Sequence, residues 1–286
     1  MKRQRYQESQ EVEYVVFILK EGKMMKKLLF IFLLIGNSCF AQDWVAEVMV
    51  GASGYTGDLT QQRIPLNTIR PGVAVNLKFN TGNFINYRAG LAYLPIAGND
   101  KYNIDPLLVA RNLNFKTNIL EANVGVEIPL EDPLSFYSYP YVFGTVGVFH
   151  FNPYSYDSNH VKTYLQPLST EGEGLSQYPG RKKYSLTQVC FPVGLGWKVS
   201  INDRIEICYE IGYRFLFTDY LDDVSKNYVN LDVLRQAKGD KAVEMAYRKN
   251  VPFREEDLPR GNPGKNDSYF FTGIKIGLVL NTTPRY

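Results

Sequence analysis

Cysteine, histidine and long apolar runs are all scarce in this chain, and each scarcity removes a class of function. Three Cys and two His occur among 286 residues. No Cys-x-x-Cys, Gly-x-Ser-x-Gly, His-Glu-x-x-His or phosphate-loop pattern is present. The spacings that assemble a zinc site, an activated serine or a phosphate cradle are therefore missing. His150 and His160 belong to no such set, so the sequence points to a non-enzymatic protein with no cofactor. Charge of one sign is also lacking. The formal net charge of +3 comes from 32 Lys and Arg against 29 Asp and Glu. Removing residues 1–41 takes away seven bases and four acids and leaves 25 of each. Nothing in that balance favours nucleic acid. Beyond residue 41 no run of 18 apolar residues remains, so no single helix there is built to cross a membrane.

The one concentrated apolar run lies near the start. Met24-Met25-Lys26-Lys27 is basic, Leu28 to Ile35 is apolar, and Ser38-Cys39-Phe40-Ala41 offers small residues before Gln42. This order reads as a secretory signal peptide over 24–41, cleaved between Ala41 and Gln42. Residues 1–23 precede it and read as an extension from an upstream start, leaving 42–286 as a single domain. A lipoprotein site at Cys39 is disfavoured by the Asn37-Ser38 before it. Cys190 and Cys208 remain after cleavage, in a compartment where disulfides form.

What the chain has in quantity is alternation and aromatics, with 21 Tyr and 17 Phe. From Ile205 to Thr218 the odd positions are Ile, Ile, Tyr, Ile, Tyr, Phe and Phe, while Glu206, Glu210 and Arg214 fall on the even side. Period two over this length predicts a strand. Charges confined to one face suit a membrane-spanning barrel strand, with lipid outside and a polar lumen inside. Seven more segments follow the rule: Asp43 to Ser53, Pro71 to Phe79, Phe84 to Leu94, Asn114 to Ile128, Tyr139 to Phe151, Tyr184 to Val199 and Tyr269 to Leu280. The face of Tyr139 to Phe151 is ambiguous, since both sides are apolar or Gly. Connections after strands one, three, five and seven are long, and those after two, four and six are short. The expected fold is all-β: an eight-stranded antiparallel transmembrane β-barrel with long extracellular loops. A helix is expected over Leu231 to Arg248 in the last loop, packed over the barrel mouth or on a partner.

The polar faces collect five acids, Glu47, Glu121, Glu127, Glu206 and Glu210, and five bases, Lys78, Arg88, Lys198, Arg214 and Lys275. Eight strands leave an interior that side chains can fill, and buried charges need partners. A balanced set therefore predicts a lumen closed by ion pairs; an ion-selective pore would favour one sign. A three-residue turn at Ile201-Asn202-Asp203 pairs Lys198 with Glu206, Gly194 with Glu210 and Cys190 with Arg214. Cys208 then lies roughly 20 Å from Cys190 at about 3.3 Å per residue, so both thiols stay free. Asp219, Asp222 and Asp223 could be taken for a calcium loop, but they lack its regular ligand spacing. They read as a capped, solvated turn, as does Glu171-Gly-Glu173-Gly.

Several loop strings are more specific than the strands. They are His150-Phe-Asn152-Pro153, Leu165 to Gly174 with Glu171 and Glu173, Tyr184-Ser-Leu-Thr-Gln188, Glu210-Ile-Gly-Tyr-Arg214, Thr218-Asp219-Tyr220-Leu-Asp222-Asp223-Val-Ser225 and Arg260-Gly-Asn262-Pro263 followed by Asn266-Asp267. With Tyr55-Thr-Gly-Asp-Leu59, they resemble the PorG-type outer-membrane barrels of Bacteroidetes, in order, over about Asp43 to Leu280. The resemblance implies a component of type IX protein secretion, the gliding-associated machinery, and a periplasmic partner ring of the PorK and PorN type. It implies no catalytic residue. The long–short alternation of the connections is what puts the N-terminus and short turns on the periplasmic side and the long loops outside, with outer-membrane lipid around the barrel. Residues 1–23 and the ending Asn281 to Tyr286, with Pro284, depart from the pattern. The alternatives are a general small barrel of OmpA or OmpX type, with an envelope-stabilising or adhesive role, and a small diffusion pore.

Overall fold

The computed structural model describes residues 43–280 apart from 63, 64, 83, 134, 250, 251 and 253–255. The extension, the signal peptide, its cleavage site at Ala41 and Gln42, and the ending 281–286 lie outside the described residues.

Eight long strands form in chain order: β1 (Asp43–Thr56), β2 (Arg70–Asn80), β3 (Asn86–Asn99), β4 (Asn114–Pro129), β5 (Ser138–His150), β8 (Thr187–Ser200), β9 (Ile205–Leu216) and β10 (Ser268–Val279). Two short strands, β6 (Tyr154–Tyr156) and β7 (Lys162–Tyr164), form a hairpin between β5 and β8. Each long strand pairs antiparallel with the next, β3 pairs with β4, and β1 pairs with β10, so the eight close into a barrel. Closure removes the exposed edges that an open sheet would leave. The hairpin hangs on β4 through Lys116 and Tyr154.

Alternation sets what faces outward. Between the short turns and the level of Leu120, the outward positions of the barrel carry mainly Val, Leu, Ile, Ala, Tyr, Phe and Trp. They carry no Lys, Arg, Asp or Glu among the described residues. Leu91 and Val124 are each 61% exposed, where a water-soluble fold would hide them. A continuous apolar belt of this kind is stable against lipid and a liability in water. Aromatics gird its short-turn end. Trp44 packs on Phe79 with ring centroids 4.8 Å apart, and Trp197 Nε1 donates to Ser138 Oγ at 2.8 Å. Rings with one polar atom favour this boundary between hydrocarbon and water. The chain is a transmembrane β-barrel.

The structure completes or corrects the sequence reading at four points. The ambiguous fifth strand turns Tyr139, Tyr141, Phe143 and Phe149 inward. Gly194 and Gly196 opposite leave room for two of these rings: a Cβ on Gly196 would collide with Tyr141, and one on Gly194 with Phe143. The expected single helix is two, α2 (Leu231–Lys238) and α3 (Asp240–Ala246), broken at Gly239, whose φ is +84°. Asn230 caps α2 by accepting from the amides of Asp232 and Val233. A further helix, α1 (Pro106–Arg111), forms in the loop after β3, where Asp105 caps and Pro106 opens it.

The fourth point, a correction, is the register between β8 and β9. Ser200 faces Glu206 and Lys198 faces Cys208, two residues from the expected pairing. The turn is Asn202-Asp203-Arg204, because the Asn202 side chain accepts from the amides of both Arg204 and Ile205 at 2.9 Å. A shift of two keeps every face unchanged. Cys190 faces Leu216, and both cysteines are free.

The interior has two tiers. Toward the long loops it is apolar and aromatic, with Met49, Leu94, Ile96, Phe115, Ile119, Phe149, Leu216 and Phe271 continuing into loop residues Leu59, Phe151, Leu165 and Leu221. Eight of the ten lumen charges occupy the half nearer the short turns, while Glu121 and Arg214 lie within the apolar tier, Glu121 directly opposite Phe149. The polar lumen expected from alternation is thus concentrated in one half.

Candidate functional site: the charged lumen and the loop cap

The ten charged positions expected in the lumen are all buried there, none more than 7% exposed. Alternation aims each inward, and the barrel brings together residues from strands that never touch. Glu127 on β4 is the hub: Lys198 Nζ donates to its Oε1 at 2.7 Å, while Lys78, Lys275 and Arg88 lie at 3.8, 3.8 and 3.9 Å. Lys78 donates to Glu206 at 2.7 Å, and Lys198 lies 3.6 Å from the same carboxylate despite the shifted register. Glu210 takes Arg88 through two nitrogens at 2.9 and 3.1 Å, Lys275 at 2.8 Å and the Tyr141 hydroxyl at 2.7 Å. Glu47 is held by charge alone, with Lys78 at 3.2 Å and Lys275 at 3.1 Å, neither at hydrogen-bond geometry. A separate pair lies nearer the loops, where Arg214 Nε donates to Glu121 at 3.2 Å and Tyr269 to the same carboxylate at 2.7 Å. Arg214 does not sit opposite Cys190; its ladder partner is Pro192.

The acidic loops are not solvated turns. They fold into a cap over the long-loop end, and their carboxylates point inward. Glu171, fully buried, accepts from the amides of Ser225 and Lys226 and from Arg260 Nη1 at 3.0, 2.8 and 3.0 Å. Arg260 also donates to the carbonyls of Asp223 at 2.6 Å and Ala246 at 3.3 Å. Asp223, itself at φ +66°, accepts from Thr170 Oγ1 at 2.5 Å and the Tyr184 hydroxyl at 2.6 Å. Asp222 and Asp267 share the Tyr55 hydroxyl, and Asp267 also accepts from the Leu221 amide at 2.9 Å. The Asn262 amide donates to Asp58 at 2.7 Å. Tyr220 stacks on Tyr184 at 4.8 Å. The Asn152 amide donates to Thr117 Oγ1, and the Pro153 carbonyl accepts from the Leu165 amide. His150 stands apart on the outer face, with its Nδ1 3.0 Å from Thr187 Oγ1. These hydroxyl and amide donors, out of sight in a linear reading, replace the water expected around Glu171, Asp222, Asp223 and Asp267, while both carboxylate oxygens of Asp219 and Oε1 of Glu173 are buried without a hydrogen-bond partner.

Burial, and after it the crowding of carboxylates, raises the cap acids. Burial pushes Asp219 up to about 7, with the charges of Asp58 and Glu171 adding to the rise. Burial, with Asp223 and Glu171 beside it, takes Glu173 to about 8. Burial lifts Asp223 to about 6 although Arg260 opposes it. Asp222 and Asp267 lie well above the ordinary range for the same first cause. Among the described residues no group of three or more His, Cys, Asp and Glu is arranged to hold a metal ion.

Linear reading misses other parts of the site. Tyr141, Tyr269 and Phe143 could have been found by carrying inward parity through the aromatic-rich strands. Arg111 could not. It grips Asp100 at 2.7 and 2.8 Å and reaches the carbonyls of Asp58 and Arg260, joining three loops.

Fold and site together define a small transmembrane β-barrel with a charged, packed interior and a structured loop cap. A family model described as a domain of unknown function (DUF6089) matches residues 23–243, and the chain belongs to that family. No curated protein matches. Solved structures with similarity include Neisserial surface protein A, 7% identical over 82% of this chain and 96% of that one, with a TM-score of 0.40. Ail of Yersinia pestis, in complex with the heparin analogue sucrose octasulfate, is 7% identical over 84% and 100%, with a TM-score of 0.39. A major outer membrane protein from Thermus thermophilus is 12% identical over 84% and 100%, also at 0.39.

Proposed function

We propose that this protein is a non-enzymatic outer-membrane barrel that acts as a sealed scaffold. Its long loops face outward as a folded cap, in the manner of OmpA- or OmpX-type barrels with an envelope-stabilising or adhesive role. The observation that carries this reading is the interior: ten lumen charges of balanced sign, each almost fully buried and held in ion pairs. A pore needs a continuous wet path and tends to line it with one sign. The apolar tier above the charges works against conduction as well. Purified protein in planar bilayers should show no steady conductance in salt. A reproducible single-channel conductance overturns the scaffold reading in favour of the diffusion pore.

A second reading, a subunit of type IX secretion docked on a periplasmic PorK- and PorN-like ring, has its own support. The loop strings that carry the resemblance meet in one packed unit, through Glu171, Asp222, Asp223, Arg260 and Asp267. Deleting the gene tests it: loss of cargo export with intact envelope permeability favours secretion, and unchanged export refutes it. The short turn from Leu130 to Ser138 would then face the ring. Reversing the charges of Glu131 and Asp132 should weaken co-purification, and full recovery of the ring would count against that contact.

A further inference from the structure

The barrel wall holds a second polar feature where the tops of two strands part, with Lys116 on the outer face and Arg70 at an inward position opposite the buried Ser53. The β2–β3 ladder stops at Val73 opposite Tyr93, whereas β3 and β4 stay paired up to Asn99 opposite Asn114. The top of β2 therefore splays from β3, and the short turn Leu66–Thr68 lies beside the opening. A pocket of about 180 Å³ forms there, with Arg70, Lys101 and Lys116 in its lining beside Asn67, Asn99 and Tyr102. No Asp or Glu lines it. Among the described residues, none of the three cations has an acid within ion-pair distance; Lys101 and Lys116 instead rest over the rings of Tyr102 and Tyr156, at 4.6 and 5.1 Å. Three cations without a counter-charge at one mouth favour an anion, and the amide and hydroxyl groups around them suit sugar hydroxyls.

Directly below, on the same strands, the lipid-facing wall carries an open apolar depression. A trough of two joined reaches, about 520 and 630 Å³, is lined by Val75, Leu91, Ala122 and Val148 in both. Ala89 and Ala122 supply small side chains where neighbouring strands carry Leu and Val. Lys116 at the pocket and Leu120 at the trough's upper end are four residues apart on β4, roughly 13 Å along the strand. Charge above and an apolar channel below is the shape of an amphiphile standing in one leaflet.

We propose that this seam holds one lipid from the leaflet at the long-loop end, a phosphorylated glycolipid. Its phosphate meets Arg70, Lys101 and Lys116, and an acyl chain lies in the trough past Leu91 and Ala122. The inference rests on the membrane-barrel fold and on neither reading of the cap.

Native mass spectrometry of the full-length mature protein in detergent tests it, with bisphosphorylated lipid A as probe and its fully dephosphorylated form as control. Retention of the phosphorylated lipid should exceed that of the control by about tenfold or more and weaken as salt rises. Combined Arg70→Gln, Lys101→Gln and Lys116→Gln should remove the difference. Ala122→Trp, which fills the trough, should lower retention of both forms. Each variant is first checked for a heat-dependent gel shift, which reports the closed barrel separately from lipid binding. Equal retention of the two lipids by the wild type overturns the phosphate site. Unchanged retention in the folded triple variant does the same, and unchanged retention in folded Ala122→Trp overturns the acyl channel. Displacement of the lipid by an equal concentration of glucosamine 1-phosphate would also overturn the acyl channel.

Discussion

Lys198 donates to Glu127 at 2.7 Å across the lumen, although the two lie on β8 and β4 with β5 between them. Glu127 has no other cation closer than 3.8 Å. Removing Lys198 leaves a buried carboxylate short of its nearest partner, and breaking such a pair costs about 3–5 kcal/mol. Lys198→Met should therefore lower the free energy of unfolding in detergent by about 3 kcal/mol. Glu127→Gln combined with Lys198→Met should recover part of the loss, since no unpaired charge remains. Urea unfolding of the single and double variants measures both, and two additive losses would show that the pair is not a unit.

The β8–β9 register makes a separate prediction. Val199 faces Ile207 on the outer surface, so Val199→Cys with Ile207→Cys in a Cys190→Ser, Cys208→Ser background should oxidise to a disulfide. Facing residues in a ladder lie within the Cα spacing that a bridge requires. Val199→Cys with Ile205→Cys is the pair that a turn one residue earlier would juxtapose, and it should stay reduced. Non-reducing mass spectrometry separates the two registers.

That register shows where a linear reading stops. The faces of seven barrel strands and the ten lumen charges were legible, because alternation needs only local parity. The shift by two was not, because it hangs on one side chain, Asn202, choosing which residues form the turn. The β5 face was hidden because aromatics fill both sides of the strand, and only the glycines on β8 decide which side has room for rings. Burial of Asp222, Asp223 and Glu171 could not be read either. Their donors come from Tyr55, Thr170, Tyr184 and Ser225, far away in sequence and joined only by the cap.

The cap has its own weak point. Arg260 is bonded to Glu171 and to two backbone carbonyls, and its own carbonyl receives Arg111. Arg260→Ala leaves Glu171 buried with backbone amides alone. The expected result is local: the loop between β9 and β10 opens more often while the barrel stays closed. A local loss of about 3 kcal/mol corresponds to a rise of roughly a hundredfold in cleavage by protease where opening is fast. The heat-dependent gel shift should be unchanged. Wild-type cleavage rates in Arg260→Ala would show that the cap does not depend on this residue.

The same carboxylates set how the cap responds to pH. Asp223, Asp219 and Glu173 are raised to about 6, 7 and 8 in the folded cap, from unfolded values near 4. A raised acid binds more protons folded than unfolded, so its stabilising contribution is complete below about pH 4 and is lost as pH climbs through its folded value. The three together make the cap tightest at about pH 4 and below and progressively looser from about pH 4 to about pH 8. Hydrogen exchange of the 217–267 loop, corrected for the intrinsic pH dependence of exchange, should show protection falling over that window. Asp219→Asn should flatten the middle of the curve, because an amide needs no proton to be neutral. Protection that rises with pH over the same range would mean that these acids are ionised in the folded cap.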